Sequence, residues 1–406
     1  MSTYLERYAW PSREFSDFSP HQSLDLIIVI PCYNEGDIDK TIRSLEVCEN
    51  TENTLVIVII NESEEEYEGV LNSNQRTFDL LTNQSYKINL LFKTIKLPWK
   101  KAGVGLARKV GMDEAVKIFE ELGKDGIIVC FDADCTCSAN YLDEIRKYYA
   151  DTNSNLGLIH YEHDLTGTNI DAIINYELFL RYYVNALRWS NFPFALQTLG
   201  SCITVKSKAY QKQGGMNTRK AGEDFYFIHK MIPLGNMGEI NKACVYPSDR
   251  VSNRVPFGTG HAVQKYIDQD TEDYDVYNPR IFSELRHLLS TVEYLYESKD
   301  PYLMGYSPAS LHFLKENDFE KAFLKMKDQS PTLKIFTARF YAWFDAFRVL
   351  KYVHFARDTY YPNIDIVDAI GWLNHNYMKI KKLDGTKENK LLAIREFDKS
   401  AEFYIK

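Results

Sequence analysis

The sequence predicts an α/β fold with a mostly parallel sheet, followed by a mainly helical C-terminal region. Three observations predict it. Short apolar runs rich in β-branched residues alternate with helix-length stretches, the pattern of βαβ units. Several of those runs end in unusual polar residues, as expected where the carboxyl ends of parallel strands share one ligand-binding edge. Beyond Gly260 the strand-like runs cease and helical spacing takes over.

In chain order, residues 24–30 read as a strand that Pro31 closes, and residues 37–46 as the helix after it. Residues 55–60 read as a second strand ending at Asn61-Glu62-Ser63, and the acidic run 62–68 as a solvated loop or helix start. A third strand at 88–95 and a helix at 103–122 lead into the apolar run 126–131, which ends at Asp132-Ala133-Asp134. A helix at 141–150, a strand at 155–161 and a long aromatic helix at 172–189 follow. Residues 200–206 read as a short strand, 207–213 as a helix stopped by Gly214-Gly215, and 223–231 as a further helix. The strongest amphipathic stretch is 335–357, where Phe336, Phe340, Trp343, Phe347 and Leu350 recur at helical spacing, as in a core or dimer helix.

Bulk properties narrow the function. A chain of 406 residues is long enough for more than one folding unit. A net charge of -8 argues against nucleic acid as the main partner, because that binding depends on basic clusters. The 28 Tyr and 23 Phe suggest amphipathic surfaces around a polar ligand. Seven scattered cysteines do not form a disulfide framework, and Cys135-Thr136-Cys137 lacks the spacing of a zinc knuckle. No stretch approaches the roughly 18 apolar residues of a transmembrane helix, and residues 1–22 contain no signal-peptide core. The expected location is cytoplasmic, with the inner membrane face as a peripheral place of work.

Six constellations carry chemistry. Asp132 and Asp134, one residue apart at a strand end, offer hard oxygen ligands for one divalent ion; the plain alternative is helix capping by Asp134. Pro31-Cys32-Tyr33-Asn34-Glu35 exposes amides and Tyr33 at the same edge, and Asn61-Glu62-Ser63 offers hydrogen bonds to a base or ribose. In residues 100–109 glycines open a helix, and Arg108, one turn inside, is placed to pair with a carboxylate such as Asp132. Glu223-Asp224 at a helix start is good capping, and equally a source of a proton acceptor. Residues 250–261 hold Arg250, Arg254, glycines and His261, a lid-like composition with His261 as a third metal ligand.

Taken in this order and spacing, the motifs resemble a soluble, bacterial-type family 2 glycosyltransferase of the GT-A fold. The resemblance implies a nucleotide-diphospho-sugar transferase with a Rossmann-like sheet, partitioned as an N-terminal extension (1–23), a catalytic domain (24–262) and a helical region (263–406). It further implies that Pro31, Tyr33, Glu35, Asn61, Arg108, Asp132 and Arg254 bind the nucleotide sugar. Asp134, Asp132 and His261 would hold Mn2+ or Mg2+, and Asp224, with Glu223 beside it, would be the base of an inverting, hexosyltransferase-like reaction. The donor would be a UDP- or GDP-sugar, and the acceptor a saccharide, lipid-linked or small-molecule hydroxyl. Two departures stand out. Asn61-Glu62 replaces the aspartate that contacts the base in many relatives, and the Gln-x-x-Arg-Trp signature of processive synthases is absent, so transfer should be non-processive. A retaining transferase, a sugar nucleotidyltransferase and a degenerate binding scaffold are the alternatives, and homodimerisation is compatible with the C-terminal helices.

Overall fold

The computed structural model describes residues 2–167, 169–250, 259–268, 274–401 and 403–405. Its sheet is organised around Leu26–Cys32 (β1), every residue of which is buried. Thr54–Ser63 (β2) pairs with β1 in parallel, and Asn89–Leu97 (β3) continues beyond β2 in the same direction. Ile127–Cys130 (β4) lies parallel to β1 on its other side. Strands buried on both faces lose the alternation of a half-exposed strand, which is why they read as unbroken apolar runs.

The remaining strands are Thr136–Cys137 (β5), Leu156–Tyr161 (β6), Ile203–Lys206 (β7), Met237–Tyr246 (β8), Asp275–Val276 (β9), Ile364–Asp365 (β10) and Tyr404–Ile405 (β11). Among the described residues the main sheet has the order β11-β8-β6-β7-β4-β1-β2-β3, with β5 also on β8. β7 is antiparallel to both β4 and β6, while β6 and β8 are parallel. The result is a mixed α/β fold with a mostly parallel sheet.

One local expectation is overturned. Pro31 lies within β1, opposite Ile59, and does not end it. Val29 accepts the Phe131 amide at 3.0 Å, so the same side of β1 at Pro31 faces the end of β4, past the last paired residues Val29 and Cys130. A missing N–H costs nothing there.

The helices up to Asp268 are Thr3–Arg7 (α1), Ile38–Glu46 (α2), Glu68–Asn83 (α3), Val104–Glu121 (α4), Tyr141–Asp151 (α5), Ile170–Trp189 (α6), Ser207–Lys212 (α7), Glu223–Met231 (α8) and Thr259–Asp268 (α9). α4 is buried almost all round. Gly111 explains one face: a Cβ there would lie 2.4 Å from Val29 Cγ1 of β1. The N-terminal extension covers another. Tyr4 donates to Asp113 Oδ1 at 2.5 Å and the Trp10 amide to Asp113 Oδ2 at 2.7 Å, while Arg13 pairs with Glu114 at 3.2 Å.

The chain forms two compact units. One comprises Met1–Ile173, Thr198–Ile267 and Asp398–Lys406, and carries the main sheet; the other comprises Ile174–Gln197 and Asp268–Phe397. The second contains β9 and β10, most of α6, and the helices Pro279–Ser290 (α10), Val292–Glu297 (α11), Pro308–Glu316 (α12), Phe319–Asp328 (α13), Leu333–Trp343 (α14), Ala346–Thr359 (α15), Ile366–Leu373 (α16) and most of Lys387–Ser400 (α17). The amphipathic stretch 335–357 is therefore two helices, not one. Phe344 leaves the helical region at ψ 58°, and the Asp345 carboxylate caps α15 by accepting the Arg348 amide at 2.9 Å. Phe336 and Phe340 are fully buried against Phe323 and Phe319, so this face belongs to the unit's own core. Phe192 and Phe194 pack edge-on against Tyr341 in the same unit. No described helix is long and apolar enough to cross a membrane.

Candidate active site

The chain leaves β4 at Cys130 and turns tightly, the Asp132 carbonyl accepting the Cys135 amide at 3.2 Å. Ala133, between the two aspartates, is buried, and its carbonyl accepts Thr41 Oγ1 of α2 at 2.8 Å. That anchor fixes the turn while the Asp132 and Asp134 side chains stay 36% and 34% exposed. They are the accessible carboxylates of the strand end.

Arg108 joins two parts of the sequence that lie far apart. Its guanidinium is 1% exposed and donates through Nη2 to Asp132 Oδ1 at 2.6 Å and through Nη1 to Glu223 Oε1. Burial works against the charge, but the carboxylates of Glu223 and Asp132 outweigh it and hold the group firmly protonated. Two glycines make room for this contact. A Cβ on Gly105 would fall 2.2 Å from the Arg219 carbonyl, and one on Gly200 would fall 2.7 Å from Arg108 Nη1. The loop before α8 thus rests directly on α4.

At the start of α8, Gly222 takes φ 68°, a conformation that favours glycine, and Glu223 and Asp224 follow in the first turn. The Glu223 carbonyl accepts Asn217 Nδ2 at 2.8 Å. Asp224 Oδ1 accepts the Phe225 amide at 2.7 Å. Burial, then the neighbouring Glu223 carboxylate, pushes the Asp224 carboxyl up from 3.8 to about 7, against the pull of Arg108. A carboxyl poised near neutrality is what a proton acceptor in a reaction at neutral pH requires.

On the other side of Asp134 lies Arg250, shortly after β8. It grips Glu35 with two hydrogen bonds, at 2.8 and 2.6 Å, and reaches Asp134 Oδ2 at 3.4 Å. The bidentate contact with Glu35 raises the guanidinium above its ordinary range, though burial opposes it. Glu35 is 2% exposed, so it is a structural partner of Arg250 as well as an edge residue. The family resemblance implies a nucleotide-sugar role for Arg254 and not for Arg250. Arg254 and the side chain of His261 lie outside the described residues.

The β1 and β2 ends are held together by Asn74 of α3, which accepts the Asn34 amide at 2.9 Å and donates to the Asn61 carbonyl at 3.1 Å. Asn34 itself sits at φ 50°. Tyr33 donates to Glu66 at 3.2 Å. Asn61 is buried, and its Oδ1 has no hydrogen-bond partner among the described residues. A buried acceptor without a donor is costly unless a ligand or water supplies one.

The structure therefore brings Asp132, Arg108 and Glu223 into one ion-paired chain, with Asp224 adjoining, and joins Asp134 to Glu35 through Arg250. The donor set suits a hard divalent cation: accessible carboxylate oxygens on Asp134 and Asp132, with no soft ligand exposed between them.

Residues 27–204 match the profile of Glycosyl transferase family 2. Similar solved structures include S. aureus TarS residues 1–349, with 14% identity, a TM-score of 0.38, and coverage of 82% of this chain and 90% of that one. Another is the same TarS segment in complex with UDP-GlcNAc, with 13% identity, a TM-score of 0.37, and coverage of 93% and 91%. No curated protein sequence matches.

Proposed function

We propose that this chain, whose residues 27–204 match the profile of Glycosyl transferase family 2, is a glycosyltransferase that carries out a metal-dependent, inverting and non-processive transfer from a nucleotide sugar to an acceptor hydroxyl. The observation that carries the proposal is Arg108, which ties the Asp132 carboxylate at the β4 end to Glu223, next to Asp224. One guanidinium thus couples the donor-side carboxylate to the acid pair that would handle the acceptor.

In this reading Asp224 accepts the acceptor hydroxyl proton as that oxygen bonds to the anomeric carbon. The bond from the anomeric carbon to the diphosphate oxygen breaks on the opposite face, and its electron pair leaves with the nucleoside diphosphate. Glu223 stays paired to Arg108, and its negative charge keeps Asp224 basic. Asn61 would turn its orphan acceptor towards a ring N–H of the base, which both uracil and guanine possess. Tyr33 and Pro31 would line the nucleotide pocket at the same edge. Mn2+ or Mg2+, held by Asp134 and Asp132, would neutralise charge on the departing diphosphate. Arg250 would release part of its hold on Asp134 to meet a donor phosphate.

Donor nucleotides supplied with Mn2+ test the proposal by the product released. Nucleoside diphosphate with an inverted anomeric centre supports it. Retained configuration refutes the role of Asp224, pyrophosphate would mean nucleotidyl transfer, and metal-independent binding without turnover would mean a scaffold. A thermal-shift panel of UDP- and GDP-sugars identifies the donor, since a ligand at 100 times its Kd adds about 2.7 kcal/mol to stability.

A further inference from the structure

β6 and β8 run parallel with a slip in register. Ile159 lies opposite Ile240, but the next residue, His160, lies opposite Cys244. Asn241, Lys242 and Ala243 are left out of the ladder. The excursion is anchored, because Asn241 Nδ2 donates to the carbonyls of Asp398 and Ala401 and Asn140 Nδ2 donates to that of Lys242. A regular register would have set Asn241 against His160. Bulges of this kind re-aim side chains at fixed places.

Glu162 follows His160 by two residues and lies on the same side of the chain, and its amide still reaches the Val245 carbonyl at 3.0 Å. A ring nitrogen of His160, a carboxylate oxygen of Glu162 and the Cys244 sulfur consequently all lie within 4.8 Å of one another. His160 Nε2 is 3.1 Å from Glu162 Oε1, and Lys399 Nζ is 2.6 Å from the same oxygen. His160 and Cys244 are buried and Glu162 is half-buried.

Sulfur, imidazole and carboxylate donors together suit Zn2+, whereas Mg2+ and Mn2+ prefer oxygen alone. We propose that His160, Glu162 and Cys244 form a zinc-class metal site, distinct from the Asp132 and Asp134 carboxylates. Along the sheet order, β7 stands between β6 and the strand those aspartates follow. Cys244 gives its thiol proton to solvent on binding, Glu162 binds as carboxylate, and one coordination position remains for water. The ion would cross-link β6 to β8, and Lys399 on Glu162 would tie the chain segment from Asp398 to the same point.

The test uses the full chain without a histidine tag, stripped with chelator, dialysed and titrated with Co2+ as a spectroscopic stand-in for Zn2+. The expected result is one Co2+ per chain with a thiolate-to-cobalt charge-transfer band, which Zn2+ displaces. Cys137→Ser should keep the band and Cys244→Ser should lose it. His160→Gln and Glu162→Gln should weaken binding at least as much as the roughly tenfold loss of an outer-shell partner. Absence of the band in the wild-type chain, or its persistence in Cys244→Ser, overturns the site. Should Cys244→Ser fail to fold by circular dichroism, unchanged Co2+ affinity in the near-isosteric Glu162→Gln overturns it equally.

Discussion

Replacing Asp224 with asparagine should destroy turnover while making the protein more stable. The asparagine oxygen can still accept the Phe225 amide that Asp224 accepts at 2.7 Å, so the start of α8 need not move. What disappears is a carboxyl raised from 3.8 to about 7 by burial and by Glu223. A rise of that size corresponds to on the order of 4 kcal/mol. Because Asp224 keeps some solvent contact, about half of it, ~2 kcal/mol, is the reasonable expectation. The sign follows from linkage. Below pH 3.8 the group is protonated in both folded and unfolded chains and contributes nothing. Between 3.8 and about 7 the unfolded chain ionises first, and above 7 the native state carries the whole penalty. Asp224→Asn should therefore gain stability at pH 8 and not at pH 3.5, as measured by urea denaturation. Loss of a general base should lower kcat by roughly 100- to 10,000-fold. In the unaltered protein, kcat/KM should rise with pH through about 7 as the base ionises. Turnover retained in Asp224→Asn would falsify the base assignment, and equal stability gains at pH 3.5 and pH 8 would remove burial as the cause of the raised pKa.

Three other perturbations address the rest of the site. Arg108→Lys should cost roughly 3 kcal/mol in denaturant unfolding, the lower end for breaking a buried pair because Asp132 is partly exposed. A single ammonium cannot serve Asp132 and Glu223 with fixed parallel geometry, so an unchanged midpoint with unchanged activity would refute the coupling role. Gly105→Ala places a methyl 2.2 Å from the Arg219 carbonyl and should lower both Tm and activity; wild-type values for both would mean that α4 and the loop before α8 are not in contact. Chelation should stop nucleoside diphosphate release, and added Mn2+ or Mg2+ should restore it in the wild-type chain but not in Asp134→Ala. Full turnover in chelator would rule out metal dependence.

The sequence was informative where chemistry and local pattern coincide. Asp132-Ala133-Asp134 closes an apolar run, and Arg108 sits one turn into a helix that begins with glycines, so their pairing could be expected before the 2.6 Å contact was seen. The same pattern placed Arg250 in a lid-like stretch but could not show that it grips Glu35 and reaches Asp134. Arg250 depends on β8, whose Glu239, Asn241 and Lys242 interrupt the apolar alternation that marks a strand. The strand forms because β6, β5 and β11 all pair with it, which no local window records. Likewise the apolar spacing from 335 to 357 passes straight over the break at Phe344, since Asp345 caps a new helix without disturbing the period. The meeting of His160 with Cys244 was hidden for a related reason: it rests on a slip in register fixed by Asn140 and by the carbonyls of Asp398 and Ala401.

α4 shows why a site can be legible while its support is not. A helix apolar on one face only announces what it packs against, but α4 has Gly111 against β1, Gly105 under the α8 loop, and Asp113 and Glu114 under the N-terminal extension. Its buried charges occur in sequence as Arg108, Lys109, Asp113 and Glu114, which looks like an ordinary solvated helix. Their partners lie largely outside the helix: Asp132 and Glu223 for Arg108, Arg13 for Glu114, and Tyr4 for Lys109 and Asp113, which also pair with each other. Leaving a buried charge under-paired costs more than the pair contributes. The N-terminal extension is thus bound into the same helix that aligns the carboxylates. Its Tyr4 anchors Lys109, the residue adjoining Arg108, so loosening the extension should reach the site through α4 without any contact with a ligand.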